Sequence, residues 1–178
     1  MFRGGIPIGS LFGIKLKLHY SWFLIFALVT WALAANYFPV TYPAWSLTLK
    51  ISAGLITSFL FFGSVLVHEL CHSVIAQREG IKIDAITLFF LGGVSQMAGE
   101  PKTASDEFRM AFAGPLSSLV LGGIFLGIYY ALRRNAAVPA QYIGAISNYL
   151  GYINILLGVF NLIPGFPLDG GRVLRSII

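Results

Sequence analysis

The chain has 178 residues, which is enough for one compact unit. Hydrophobic residues make up 57% of it, charged residues only 11%, and the mean hydropathy is +0.80. These values are typical of an integral membrane protein and exclude an ordinary soluble domain. The net charge is +5, but the basic residues flank apolar segments and form no stripe, which argues against a nucleic-acid partner. The single cysteine, Cys71, excludes an internal disulfide and a multi-cysteine zinc site.

Four apolar segments are long enough to cross a bilayer as helices, which takes about 20 residues each. They cover approximately residues 20–38, 46–78, 108–132 and 140–163. Two prolines in residues 36–45 predict a turn between the first two helices, and Gly80 predicts the end of the second. The fourth segment is broken by Pro164 and Pro167. Because the second segment exceeds one crossing, its C-terminal end should reach the membrane interface.

Two shorter stretches have the alternation of β-strands. Residues 15–18 alternate lysine and leucine, and residues 81–97 begin with alternating apolar and polar positions before Gly92 and Gly93, which predict a turn. We therefore expect an α-helical polytopic membrane protein with about four transmembrane helices. A small β-sheet or hairpin should lie on the cytoplasmic side between the second and third helices. Residues 1–178 should form a single membrane-embedded domain.

The distribution of basic residues predicts the orientation of the chain. Eight of them fall on one side of the predicted membrane: Arg3, Lys15, Lys17, Arg78, Lys82, Lys102, Arg172 and Arg175. Only Lys50, Arg133 and Arg134 lie near the opposite ends of the helices. Since cytoplasmic loops carry the excess of lysine and arginine, both ends of this chain should be cytoplasmic.

The second apolar segment contains the sequence His68-Glu69-Leu70-Cys71-His72. In a helix, two histidines four residues apart lie on one face, about 6 Å apart along the axis, and both can reach one zinc ion. Glu69, roughly 100° around the helix, can act on a zinc-bound water without ligating the metal. Ionisable groups among apolar residues are expensive in a membrane and require a partner. The motif therefore predicts zinc chemistry of the kind used for peptide hydrolysis.

A catalytic zinc usually takes three protein ligands, and Asp169 is the best candidate for the third. The topology places the end of the fourth helix in the same leaflet as the end of the second. On its own, Asp169 could simply cap a turn before Arg172, but together with the histidine motif we expect it to bind metal. Glu79 lies about 10 Å further along the helix from His72, which is too far.

Three other polar residues are ambiguous from the residues alone. Asn161, near the end of the fourth segment, could make an interhelical hydrogen bond or could bind an oxyanion. His19 starts the first segment and is expected to be an interfacial histidine rather than a ligand. Cys71 is expected to be a packing residue, since a thiolate ligand would close the open position on the zinc.

Three motifs in this order resemble those of the site-2 proteases, which are intramembrane zinc metalloproteases. They are the histidine motif, residues 113–117 (Ala-Gly-Pro-Leu-Ser), and residues 161–164 (Asn-Leu-Ile-Pro) followed by 167–172 (Pro-Leu-Asp-Gly-Gly-Arg). The segment Gly92-Gly93-Val94 also fits, whereas Cys71 stands where glycine is common. Relatives usually continue beyond Asp-Gly-Gly with further helices, so we expect this chain to be the catalytic core of a longer protein.

The resemblance implies that His68, His72 and Asp169 bind one Zn²⁺ and that Glu69 activates water. It also implies that Asn161 assists at the reacting carbonyl. The substrates would be transmembrane segments of membrane-anchored regulatory proteins, such as anti-sigma factors or membrane-tethered transcription factors, in a prokaryotic cytoplasmic membrane. Two alternatives belong to other classes: a transporter that carries a metal, and a catalytically inactive relative that only binds membrane segments.

Residues 81–97 leave a further choice open. An exposed strand edge there could receive an unwound substrate as an added strand. The segment could equally be a hairpin that only joins two helices.

Overall fold

The computed structural model describes residues 5–90 and 92–178 of the chain. The helices are α1 (Tyr20–Ala32), a π-helical turn (Leu33–Tyr37), α2 (Phe38–Thr41), α3 (Leu47–Arg78), α4 (Ala104–Leu132), α5 (Val138–Asn161) and α6 (Asp169–Arg175). The strands are β1 (Ile6–Leu11), β2 (Ile14–Leu18), β3 (Ile83–Phe89) and β4 (Gly92–Met97). Arg3, one of the basic residues used to predict the orientation, lies outside the described residues.

Within the described residues, four helices are long and apolar enough to cross a membrane: Tyr20–Thr41, Leu47–Arg78, Ala104–Leu132 and Val138–Asn161. This confirms the predicted helical membrane fold. Local signals explain the ends of α3, because the Ser46 hydroxyl accepts from the Leu49 N–H at 3.3 Å at its start. Past its end, Gly80 adopts a φ of +80°, a left-handed conformation that glycine tolerates best.

The first connection differs from the sequence prediction. Residues 36–41 remain helical, and the chain leaves the helix only at Tyr42. The π-helical turn Leu33–Tyr37 precedes Pro39, which lies in the first turn of α2. Proline has no N–H to donate to the preceding turn, and the π-helical turn before it is the local change of hydrogen bonding with which the helix continues.

The strands form one sheet in the order β1-β2-β3-β4, which confirms the predicted small β-sheet. Its strands β1 and β2 come from before the first helix. The outer pairs are antiparallel, whereas β2 and β3 are parallel, with Lys15 opposite Ala85. Gly92 and Gly93 belong to β4 and do not form the predicted turn. The edges of the sheet are therefore β1 and β4.

Two apolar cores hold these elements together. One joins the sheet to the C-terminal part of α3 and the start of α4, through residues such as Ile14, Leu70, Ile86 and Met110. The other lies at the opposite end of the helices and includes Phe38 and Leu150. The first core fixes the sheet directly beside the histidine motif.

Candidate metal centre and active site

Three ligand-type side chains converge where α6 meets α3. His68 and His72 lie one turn apart on α3 and are 5% and 6% exposed, while Asp169 is the first residue of α6. The distance between Nε2 of His68 and Nε2 of His72 is 3.1 Å, and each of these atoms is also 3.1 Å from Oδ2 of Asp169. The structure thus brings together the three residues that the sequence nominated as metal ligands. We call these three residues the triad.

Residues of α4 orient both histidine rings by contacting the second ring nitrogen, Nδ1. Nδ1 of His72 lies 2.7 Å from the carbonyl oxygen of Met110, and Nδ1 of His68 lies 2.9 Å from the hydroxyl of Ser118. A carbonyl can only accept, so Nδ1 of His72 carries the proton and, in the neutral ring, Nε2 keeps its lone pair. Outer partners of this kind fix the orientation of metal-binding histidines.

The donor set fits a zinc ion. Two imidazole nitrogens and one carboxylate oxygen are ligands that zinc accepts, and tetrahedral bonds of about 2.0–2.1 Å would separate ligand atoms by roughly 3.3 Å. The observed 3.1 Å separations are close to this value. Without a cation, lone pairs of nearby atoms would face one another in a mostly buried place. Three protein ligands leave a fourth position for water, as in catalytic zinc sites.

The electrostatics of Asp169 suit a ligand. Burial by itself raises the pKa of the Asp169 carboxyl. When a proton and not a metal occupies Nε2 of His68 and His72, these rings donate to the carboxylate, outweigh burial and hold that pKa well below its usual range. The carboxylate is therefore ionised at neutral pH, as metal binding requires.

The start of α6 is placed by close backbone packing. A β-carbon added to Gly170 would overlap the carbonyl oxygens of Leu162 and Ile163, and one added to Gly171 would lie 2.9 Å from the carbonyl of Gly165. Two glycines after Asp169 therefore let α6 begin directly against the loop that follows α5. This contact directs the carboxylate of Asp169 toward the histidines.

Glu69 contacts the strand β4. Its Oε2 accepts from the hydroxyl of Ser95 at 3.1 Å, and Ser95 in turn lies 2.9 Å from the hydroxyl of the fully buried Ser73. Because the single proton of Ser95 goes to Glu69, Ser73 donates to Ser95. A β-carbon at Gly93 would lie 2.9 Å from Cδ of Glu69, so this strand position has no room for a side chain. The carboxylate of Glu69 is thus held by β4, and no hydrogen bond among the described residues joins it to the triad.

The remaining candidates lie elsewhere. The amide of Asn161 donates to the carbonyl of Leu157 in its own helix at 2.9 Å, so its described contact is not with the triad. Glu79 pairs with Arg109 at 3.3 Å. His19 caps α1, accepting from the Ser21 N–H at 3.2 Å. Cys71 is partly buried and lines an apolar groove of about 590 Å³ between α3 and α4.

Comparison with known proteins identifies the family. The model of peptidase family M50 matches residues 56–134 and 127–178 of the chain. The chain belongs to peptidase family M50. A solved structure titled "Site-2 Protease from Methanocaldococcus jannaschii" superposes on the chain with a TM-score of 0.67. Together with the family match, this superposition confirms the resemblance to site-2 proteases. That structure is 32% identical, and the match covers 98% of this chain and 71% of the other.

Two curated relatives are more similar in sequence to this M50 family chain. "Putative zinc metalloprotease sll0528" of Synechocystis sp. is 45% identical over 177 residues, covering 99% of this chain and 45% of the relative. "Putative zinc metalloprotease Rip3" of Mycobacterium tuberculosis is 40% identical over 179 residues, covering 99% and 44%. The M50 chain thus spans less than half the length of these relatives.

Sequence reasoning missed the contacts that α4 supplies to this M50 site. Met110 contacts His72 through its backbone carbonyl, which no side chain in the sequence indicates. Ser118 lies just beyond residues 113–117, which were noted only as a motif. The helical spacing of residues 110, 114 and 118 would have placed them on one face, but nothing in the sequence says that this face meets α3. Ser73 and Ser95 were missed because their contact crosses from helix to strand.

Proposed function

We propose that this chain is the catalytic core of an intramembrane zinc metalloprotease. Its reaction would be hydrolysis of a peptide bond within or near the transmembrane segment of a membrane-anchored regulatory protein. One observation carries the proposal: two buried imidazole nitrogens and a carboxylate oxygen lie 3.1 Å from one another. Family membership and the superposition on a site-2 protease support it.

Each residue of the site has a separate role in the proposed reaction. His68, His72 and Asp169 would hold one zinc ion per chain, which when bound supplies a Lewis acid and lowers the pKa of a water toward about 7. Glu69 takes the proton from the attacking water and passes it to the leaving amine. Ser95 holds the carboxylate of Glu69 in place for both transfers. Asn161 would stabilise negative charge on the substrate carbonyl, after its amide leaves the Leu157 carbonyl.

The substrate must be unwound before it can react. A transmembrane helix satisfies its own backbone, and each N–H or C=O group freed in apolar surroundings costs several kcal/mol unless it finds a partner. The edge strand β4 offers such partners, and it contacts Glu69 through Ser95 and Gly93. A substrate added along β4 would present its peptide bonds to the triad with little demand on its sequence.

The site would lie on the cytoplasmic side of a prokaryotic cytoplasmic membrane. The chain is an integral membrane protein with four candidate spans, and the sheet, α6 and the triad share one end of them. That end carries most of the basic residues, including Arg78, Lys82 and Arg175. Both ends of this chain would then be cytoplasmic.

Anti-sigma factors or membrane-tethered transcription factors are the proposed substrates, on the resemblance to site-2 proteases. A metal transporter would need polar groups along a path from both sides. Among the described residues, the acidic side chains lie at the triad or at the end that carries the sheet. A catalytically inactive relative would not be expected to keep Glu69 beside a complete ligand set.

The deciding experiment compares the chain with its Glu69→Gln variant. Both should bind one equivalent of zinc, because Glu69 is not a ligand. Only the parent chain should cleave a reconstituted model substrate with a helix-breaking transmembrane segment. Full cleavage by Glu69→Gln would overturn the mechanism, and a parent chain without zinc would overturn the metal site.

A further inference from the structure

We propose that an ion pair between Glu107 and Arg175 positions Asp169 for metal binding. This inference rests on the proposed function, because it assigns to two further residues the task of holding the third ligand. Neither residue touches the triad, so both are positioning residues.

Helix α6 has only seven residues, with Asp169 at its start and Arg175 at its end. A helix this short has little stability of its own, so contacts to other elements decide where it lies. The glycines after Asp169 pack on the backbone of residues 162–166, which fixes α6 to the loop after α5. That packing does not by itself fix α6 to α4, whose contacts orient both histidines.

Arg175 makes this link to α4. Its Nε donates to both carboxylate oxygens of Glu107, at 3.0 and 3.1 Å, and a terminal nitrogen of the same guanidinium also donates to Oε1. The Nε of Arg172 lies 3.6 Å from the same carboxylate. Among the described residues, these contacts to Glu107 are the polar links between α6 and α4. Such multiple, charge-assisted contacts fix geometry as well as supplying energy.

Glu107 is largely buried and is not an ordinary surface carboxylate. Its side chain is only 12% exposed, in the first turn of α4. A carboxylate this buried needs charged partners, and the two arginines of α6 provide them.

One face of α4 carries the outer contacts of both histidines and the contact that holds α6. Residues 107, 110, 114 and 118 follow one another at helical spacing. Met110 orients His72, Ser118 orients His68, and Glu107 holds the helix that begins with Asp169. Because α4 carries these three contacts, a shift of α6 along α4 is a shift of Asp169 relative to the histidines.

Zinc affinity in a double-mutant cycle tests the proposal. We would measure zinc binding alone, by chelator competition, for the full chain, Arg175→Ala, Asp169→Ala and the double variant. Arg175→Ala should weaken zinc binding by about 10–100-fold, the usual cost of losing an outer partner. In the Asp169→Ala background the same change should have no further effect, because the ligand it positions is gone.

Matched variants separate positioning from general damage. Arg109→Ala removes a comparable arginine–glutamate pair, with Glu79, that does not involve α6, and should leave zinc affinity unchanged. Glu107→Gln removes the charge that both arginines contact and should reproduce Arg175→Ala. The charge-reversed pair Glu107→Arg with Arg175→Glu should recover part of the affinity.

Amide hydrogen exchange of the metal-free chain gives a readout that needs no zinc. Residues 168–176 should exchange faster in Arg175→Ala than in the parent chain or in Arg109→Ala. Unchanged exchange there, unchanged zinc affinity in Arg175→Ala, or an equal loss in the Asp169→Ala background would each overturn the proposal. A parent chain that binds no zinc would overturn the proposed function instead, and hydrogen exchange alone would then decide whether the ion pair holds α6.

Discussion

Gly114 of α4 lies so close to His72 that a β-carbon at this position would overlap Nε2 of the imidazole. The same β-carbon would lie 2.7 Å from Nε2 of His68. Helix α4 thus approaches the triad with a position that has no side chain. A single added methyl group there would fill the space beside the two ligand-type nitrogens.

Gly114→Ala should therefore abolish tight zinc binding. The added methyl group occupies the volume next to both ligand nitrogens, so we expect a loss on the order of 100-fold or more in zinc affinity, at the upper end for outer-contact changes. Chelator competition measures it. Gly123→Ala on the same helix is the matched control, since a β-carbon there meets nothing within 4 Å. Equal zinc affinity in both variants would contradict the geometry.

Asp169→Ala should weaken zinc binding by more than the roughly 10–100-fold that loss of an outer partner costs, because it removes a ligand atom. Glu79→Ala should leave binding intact, since Glu79 pairs with Arg109 at 3.3 Å and lies outside the triad. Metal analysis of the two purified variants decides the matter. If Asp169→Ala retained full zinc content, the third ligand would have to be another residue.

Asn161→Ala should lower kcat by about 10²–10³-fold, the cost of losing one oxyanion donor, while zinc content stays at the parent level. Cleavage kinetics with a model transmembrane substrate provide the measurement. The amide donates to Leu157 in the structure, so its role requires a rotation toward the substrate. Unchanged kcat would show that the amide serves only its own helix.

Proline at β4 positions whose N–H points away from β3 should reduce substrate cleavage, because each such change removes one donor from the free edge of the sheet. Zinc binding should persist. Proline at Thr87 in the interior strand β3 is the contrasting case, since it breaks the sheet itself and should destabilise the fold. Ser95 is left out of the scan because it holds Glu69. Normal cleavage at every edge position would exclude β4 as the substrate platform.

Cysteine labelling in intact cells should find Ile177→Cys protected from an impermeant reagent and Arg134→Cys accessible, both in a Cys71→Ala background. The two positions lie near opposite ends of α4, whose 29 residues span about 43 Å. Ile177 is exposed and lies beyond the ion pair of Arg175 with Glu107. The reverse pattern would place the triad on the external side.

The sequence predicted what depends on local signals. Apolar length predicted the four spans, Gly80 predicted the end of α3, and helical spacing placed His68 and His72 together. Asp169 was predicted as the third ligand from topology, because the second and fourth spans end on the same side.

Contacts between elements that are far apart in the chain could not be predicted from the sequence. Strand β1, the parallel pairing of β2 with β3, and the support of both histidines by α4 all join segments far apart in the chain. Gly92 and Gly93 were taken for a turn because turns and tight helix–strand contacts both favour glycine. Gly92 has a positive φ of +131°, whereas Gly93 is the position that packs against Glu69.

The parallel register of β2 with β3 sets an order of assembly. Lys15 pairs with Ala85, and the two helices that cross the membrane first lie between these residues. During synthesis, the hairpin of β1 and β2 can form early, but it has no partner until both helices are inserted and β3 has emerged. Closing such a distant pairing is slow. Mutations that weaken β2 should therefore show first as failed maturation.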